Sequence, residues 1–134
     1  QTAIQNEPNN VQLQDVLGRV YENSKDMTNA EAAFKKAVEI APDNTDALSD
    51  LGRVYYNRAI NQQNEANAIQ DQNKYKVEVA KAKDIFRQAL PYFEKVHQLK
   101  PDDRECLTAL RGIYYNLNMN DKFNEIEAEM NKSK

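Results

Sequence analysis

Tryptophan is absent from this 134-residue chain, cysteine and histidine occur once each, and glycine and proline only three and four times. Each scarcity excludes something. A lone Cys106 rules out an internal disulfide and leaves the redox compartment open. His97 has no second histidine or nearby cysteine to join it in a metal site, so no metal is expected. With so few glycines and prolines, long stretches of chain can run as uninterrupted helix. No apolar run is long enough for a membrane span, and the mean hydropathy of -0.88 agrees. The 18 basic and 21 acidic residues are mixed along the chain, for a net charge of -3. No block of Lys or Arg forms the electrostatic footprint of a nucleic-acid binder. There is no glycine-rich phosphate loop, nucleophile motif or paired-acid signature, so neither catalysis nor a cofactor is expected.

What the chain does have is a repeat. Within residues 11–44, Leu17-Gly18 is followed by Tyr21, then Ala30, Phe34, Ala37 and Pro42. Gly18 and Ala30 are small where two antiparallel helices must approach closely, and Tyr21 and Phe34 fill the space beside them. Pro42 lacks the N–H that would let the second helix continue. Thr28 reads as the N-cap of that helix, with Glu31 three residues on completing a capping box. The pattern returns at Leu51-Gly52 and Tyr55, and its second half comes late, as Ala89, Phe93, Val96 and Pro101. A third unit carries Leu107, Leu110 and Tyr114, then Phe123, Ile126 and Met130, with its glycine displaced to Gly112.

These spacings match the L-G-x2-Y, A-x3-F, P signature of a 34-residue helix-turn-helix unit, and here the chain resembles the tetratricopeptide repeat family. The resemblance implies an all-α, tetratricopeptide-like helical solenoid of about three helix-turn-helix repeats. Residues 11–44 form the first unit, 45–103 the second with a 25-residue helical extension, and 104–134 the third. Residues 1–8 look like the tail of an earlier unit, because Pro8 precedes Pro42 by 34 residues and Ala3 precedes Pro8 as Ala37 precedes Pro42. With no Met at Gln1 and no apolar leader, the array is expected to begin upstream. The long middle unit and the Tyr-Tyr-Asn stretches resemble bacterial members of the family, some of them exported.

The 25 extra residues read as helix rather than loop. Leu48, Gly52, Tyr55, Ala59, Ala66 and Ile69 recur in alternating steps, with Gln62 the one polar member. From Tyr75 the alternation runs through Val79, Ala82, Phe86, Ala89, Phe93 and Val96. One register then pairs Tyr55 with Ala89, Ala59 with Phe86, Ala66 with Val79 and Ile69 with Tyr75, large facing small. This predicts an extended antiparallel hairpin in the middle repeat, turning near Gln72 and reaching roughly 18 Å further at 1.5 Å per residue. Pro91, inside the second arm, predicts a bend over residues 87–91.

The resemblance also implies a binding groove lined by exposed residues of each first helix. Arg19 and Arg53 follow the motif glycines, Tyr56 and Tyr115 follow the motif tyrosines, and Asn23, Asn57 and Asn116 come one residue later in each unit. An Asn amide can donate to and accept from a peptide backbone at once, so three in register could clamp an extended segment. Arg19 and Arg53 could then fix acidic side chains, and the tyrosines could pack against apolar ones. The plainer alternative is compositional, since asparagine occurs 16 times and solvated Asn near a helix end is ordinary.

Some members of the family grip a C-terminal carboxylate through Lys, Asn and Arg on this face. Here Asp15, Arg19, Asp50, Glu105 and Ala109 stand at those places, so the resemblance does not extend to that mode of binding. Cys106 reads as a packed thiol, His97 as a surface or interface residue, and Glu125, Glu127 and Glu129 as a solvated helix face. The expected function is a non-catalytic scaffold holding a protein or peptide partner on the concave face. The alternative is an assembly module, a homo-oligomer formed through the extended hairpin or the repeat ends. Neither reading includes a nucleic acid or a membrane.

Overall fold

The computed structural model describes residues 10–132, so the residues that resemble the tail of an earlier unit lie outside the described part. Six helices follow one another: α1 (Val11–Asn23), α2 (Met27–Ile40), α3 (Thr45–Asn67), α4 (Gln72–Leu99), α5 (Arg104–Asn116) and α6 (Asn120–Lys132). Among the described residues there is no strand.

Asx side chains start five of the six. Asn10, Asp26, Asn44, Asp71 and Asp103 each accept from a backbone N–H of the first helical turn, which would otherwise have no intrahelical partner. This corrects the start of α2. Its cap is Asp26, which accepts from the Asn29 N–H at 3.2 Å, so Thr28 lies inside the helix and forms no capping box with Glu31. Asp26 gains that place from the turn before it. Its own N–H donates to the Tyr21 carbonyl at 2.9 Å, that of Lys25 donates to Glu22 at 3.0 Å, and Lys25 sits in the left-handed region at φ 66°. That is the double hydrogen bond that closes a helix end. The same turn recurs between α5 and α6, where Asn118 has φ 60° and Met119 donates to Tyr114 at 2.9 Å.

Within each pair the glycine allows the close approach. A Cβ on Gly18 would lie 2.4 Å from the Phe34 ring, and one on Gly52 would lie 2.8 Å from the ring of Phe93. Both rings are buried. In the third unit Arg111 stands at the motif glycine position and donates to Glu127 of α6 at 3.1 Å, while Gly112 lies under the hydroxyl of Tyr56, from the unit before.

The inserted residues of the middle unit are helical: α3 has 23 residues and α4 has 28, separated only by residues 68–71. They run past each other in opposite directions, with Tyr55 stacked on Tyr92, Tyr56 edge-on to Phe86, and the Gln62 amide reaching Glu78 at 3.3 Å. Ala59, Ala66, Ala82, Phe86 and Ala89 are fully buried along this seam, where alanine against phenylalanine keeps the helices close. Gln62 is half-buried and keeps its polar end satisfied on Glu78. α4 continues through Pro91, which is exposed.

One apolar cluster runs from Ala30 and Phe34 through Leu51, Tyr55, Phe86 and Phe93 to Leu107, Leu110, Ile126 and Met130. Neighbouring pairs therefore share a continuous interior. Each helix packs on the next, and α3 also touches α1 and α5, whereas α2 and α4, or α4 and α6, make no comparable approach. Successive first helices thus touch along one side, whereas on the other side α4 reaches α6 through His97 and Glu129.

Candidate functional site

On the α1–α3–α5 side the charged side chains of successive first helices meet. Arg19 of α1 sends Nε and Nη2 to Asp50 of α3, both at 3.1 Å. Arg53 of α3 answers with a two-point grip on Glu22 of α1, at 3.1 and 2.7 Å, and its Nη1 lies 2.7 Å from Asp50. The same Nη1 lies 4.0 Å from Glu105 of α5. α1 and α3 are thus bound by one charge network, with Glu105 of α5 at the edge of its reach. Forked, doubly bonded arginine–carboxylate contacts are the strong form of such pairs, and here they fix the register of one repeat on the next.

Asp50 is the centre of the network, its side chain only 3% exposed. Beside it lies Asp15, with Oδ2 3.3 Å from Arg19 and Oδ1 buried with no donor facing it. Burial, a hydrogen bond shared with Asp50, and the Asp50 charge together push the Asp15 carboxyl up to about 7, against the pull of Arg19.

The network floors an open cleft of about 360 Å3 lined by Arg19, Glu22, Asn23, Asp50, Arg53 and Glu105, with Asp46, Ser49 and Asp103 at its edges. Arg19, Asn23 and Arg53, expected in the groove, do share this cleft. Asn57 lines an adjoining recess of about 410 Å3 with Glu22, Met27, Val54 and Arg58. Tyr56 is half-buried against Phe86 and Gly112, so its ring is largely taken up by packing. Tyr115 stands out into solvent, 68% exposed, tilted over Phe123. The Asn116 amide folds back to its own helix, donating to the Gly112 carbonyl at 2.8 Å. The three asparagines therefore occupy three different surroundings.

Two further clusters were not read from the sequence. Glu31 accepts from the Tyr55 hydroxyl and from Arg58, both at 2.7 Å, and pairs with Lys35 at 3.1 Å. Burial alone would raise its carboxyl, but these three donors bring it down to about 2. Tyr114 makes the equivalent bond to Glu94 at 2.9 Å, and burial followed by that bond holds its hydroxyl well above the usual phenol range. Glu94 also borders a recess of about 640 Å3 between α4 and α6, where His97 Nε2 meets Glu129 at 2.8 Å. The Cys106 thiol donates to the Phe93 carbonyl at 3.1 Å and is buried, its ionisation pushed up to about 12 chiefly by burial. A thiol so placed packs and does not attack. Among the described residues, no three His, Cys, Asp or Glu side chains are grouped to hold a metal ion.

A signal for the network did exist. Arg19–Asp50 and Glu22–Arg53 are each separated by 31 residues, one repeat less about one helical turn. Opposite charges at that interval mark first helices lying side by side.

No curated protein matches the chain. Residues 11–44 match the family model of the tetratricopeptide repeat. This span, α1 and α2 with their glycine-on-phenylalanine contact, is similar to one unit of that family, and the chain is an all-α, tetratricopeptide-like helical repeat.

Proposed function

We propose that the chain is a protein-interaction scaffold that holds an extended segment of another protein along the α1–α3–α5 side. Tetratricopeptide repeats in general mediate protein–protein interaction. The observation that carries the finer reading is the cleft over the Arg19–Asp50–Arg53–Glu22 network, which spans first helices of successive units. Its charge selects the segment. The two guanidinium groups are engaged by Asp50 and Glu22, and five carboxylates (Glu22, Asp46, Asp50, Asp103 and Glu105) line the same space. Acidic side chains would meet a surplus of like charge, so the segment carries Lys or Arg, with Asn23 available to its backbone.

The test is fluorescence anisotropy with two extended peptides of equal length, one lysine-rich and one glutamate-rich. The lysine-rich peptide should bind, more weakly at high salt, and Glu105→Lys with Asp46→Lys should weaken it at least tenfold. Equal binding of both peptides, or no response to the double variant, would refute the cleft as the site.

A second reading has its own support. At the far end of α3 and α4, Val77 is 56% exposed and lines an apolar recess of about 430 Å3 with Ile69. In this reading the lengthened middle pair projects as an arm and copies associate through its tip. Light scattering on Val77→Asp decides it, since a dimer that becomes a monomer supports the arm and a wild-type monomer dismisses it.

A further inference from the structure

The lengthened part of α4 differs in charge from the rest of the chain. Residues 72–87 hold five basic and two acidic side chains, +3 in a chain whose total is -3. Lys76, Ala80, Lys83 and Arg87 stand three or four residues apart and so share one stripe of α4. Lys76, Ala80 and Arg87 are exposed, and Lys83 is half-buried. Arg87 is tied to Asp84 at 2.7 Å, and beside the stripe Lys81 is tied to Glu78 at 2.8 Å. Lys76 and Lys83 have no carboxylate within ion-pair distance among the described residues. The small Ala80 between them lets another surface come close.

The cleft on the α1–α3–α5 side has the complementary surplus. Of its five carboxylates, Glu22 and Asp50 are held by Arg53 and Arg19, and Asp103 caps α5. Asp46 and Glu105 stay exposed, one in the first turn of α3 and the other in the first turn of α5. Packed helices lie roughly 8–10 Å apart, and seven residues of helix separate Lys83 from Lys76 by roughly 10 Å. The two cations therefore match the span between the two carboxylates. They do not meet within one chain. Glu78, which stands between the lysines in sequence, lies beside Gln62, and Gln62 follows Asp50 by twelve residues, roughly 18 Å of helix. A long polyanion fits the stripe less well, because outside residues 72–87 the chain carries -6 and would repel it.

We infer that the Lys76–Lys83 edge of α4 seats in the α1–α3–α5 cleft of a second copy, its two lysines on Asp46 and Glu105, and that the exchange is reciprocal. Reciprocal exchange closes a two-fold dimer, whereas one-way docking would build an open chain. Such a dimer requires the proposed preference of the cleft for basic side chains, and the ligand is then a helical edge of this same chain.

Sedimentation equilibrium of the whole chain tests this with two variants, Lys76→Glu with Lys83→Glu and Asp46→Lys with Glu105→Lys, each checked for helix content by circular dichroism. The wild type should dimerise at low salt, and either variant alone should weaken the dimer at least tenfold. An equal mixture of the two should restore it, because every edge then meets a cleft of opposite charge. Excess lysine-rich peptide should dissociate the wild-type dimer, a check that needs no variant. A wild type still monomeric at about 100 μM, a dimer indifferent to the peptide, or a mixture that stays monomeric would each overturn the inference. If the peptide binds a monomeric wild type, the cleft stands and only the second copy falls; if the peptide also fails to bind, both fall.

Discussion

The first helix pair and the middle one have the same interior and different lengths. In α1–α2, of 13 and 14 residues, Gly18 lies against Phe34; in α3–α4, of 23 and 28, Gly52 lies against Phe93. The short pair closes through a left-handed Lys25, whereas the long pair keeps Ala66 and Ala82 buried beyond Phe86 and starts its second helix at Asp71. A helix pair is therefore defined by its glycine contact, and its turn can be carried away from that contact wherever small residues keep facing large ones.

The sharpest way to break the equivalence is at the glycines. Gly18→Ala would force a methyl into a fully buried Phe34 ring, and a loss of about 1–3 kcal/mol is expected in urea unfolding. Gly52→Ala should cost less, because its contact is longer by a few tenths of an ångström. Equal losses would mean that the two pairs are packed with equal tightness.

The two pairs also meet at Asp15 and Asp50, and that junction responds to pH. The folded state holds the Asp15 proton up to about 7, while the unfolded chain releases it near the ordinary aspartate value of 3.8. Between those limits the folded state binds more protons, so this contribution is full below the lower limit and fades as pH rises through the upper one. The slope is at most about 1.4 kcal/mol per pH unit. Glu31 acts in the opposite sense. Its contribution is present above 4.5 and lost as pH falls toward about 2, so it leaves the range from 5 to 7 undisturbed. Asp15→Asn should flatten the dependence of stability on pH across that range, and an unchanged slope in denaturation curves would remove Asp15 as its source.

Smaller effects sharpen the comparison between units. Tyr55→Phe and Tyr114→Phe each remove a hydrogen bond donated by a first-helix hydroxyl to a carboxylate of the preceding second helix, for an expected loss of about 1.5–3 kcal/mol at most. Tyr114→Phe should cost more, because Glu94 loses the hydroxyl bonded to it while Glu31 keeps Arg58 and Lys35. Lys25→Gly should raise stability by about 1 kcal/mol by relieving a left-handed non-glycine residue, and Asn118→Gly by only a few tenths, since asparagine tolerates that region. Thermal melts of the two variants would show the difference.

Much of the fold was legible because its signals are local. Gly18, Gly52, Phe34 and Phe93 stand at fixed intervals, and the alternation from Leu48 to Ala66 is helical whatever surrounds it. The start of α2 was misread because Thr28 and Asp26 are both good caps. Only the turn through Lys25, whose hydrogen bonds run back to α1, decides between them. In the site, Arg19, Asn23 and Arg53 were legible as neighbours on first helices. Their engagement by Asp50 and Glu22 depends on how far one helix is shifted along another, and residue types alone do not give that offset. Asn116 shows the same limit, since nothing in its spacing says that its amide returns to Gly112.

The gap between α2 and α4 has a mechanical consequence. Because the first helices touch and α1 is tied to α3 by arginines, while α2 and α4 make no such approach and α4 meets α6 at His97 and Glu129, a pull on the two ends should open the array from the outside, first between α2 and α4. The chain would then behave as a leaf spring, soft to uncoiling and stiff to closure. A segment seated across α1 and α3 would set its resting curvature.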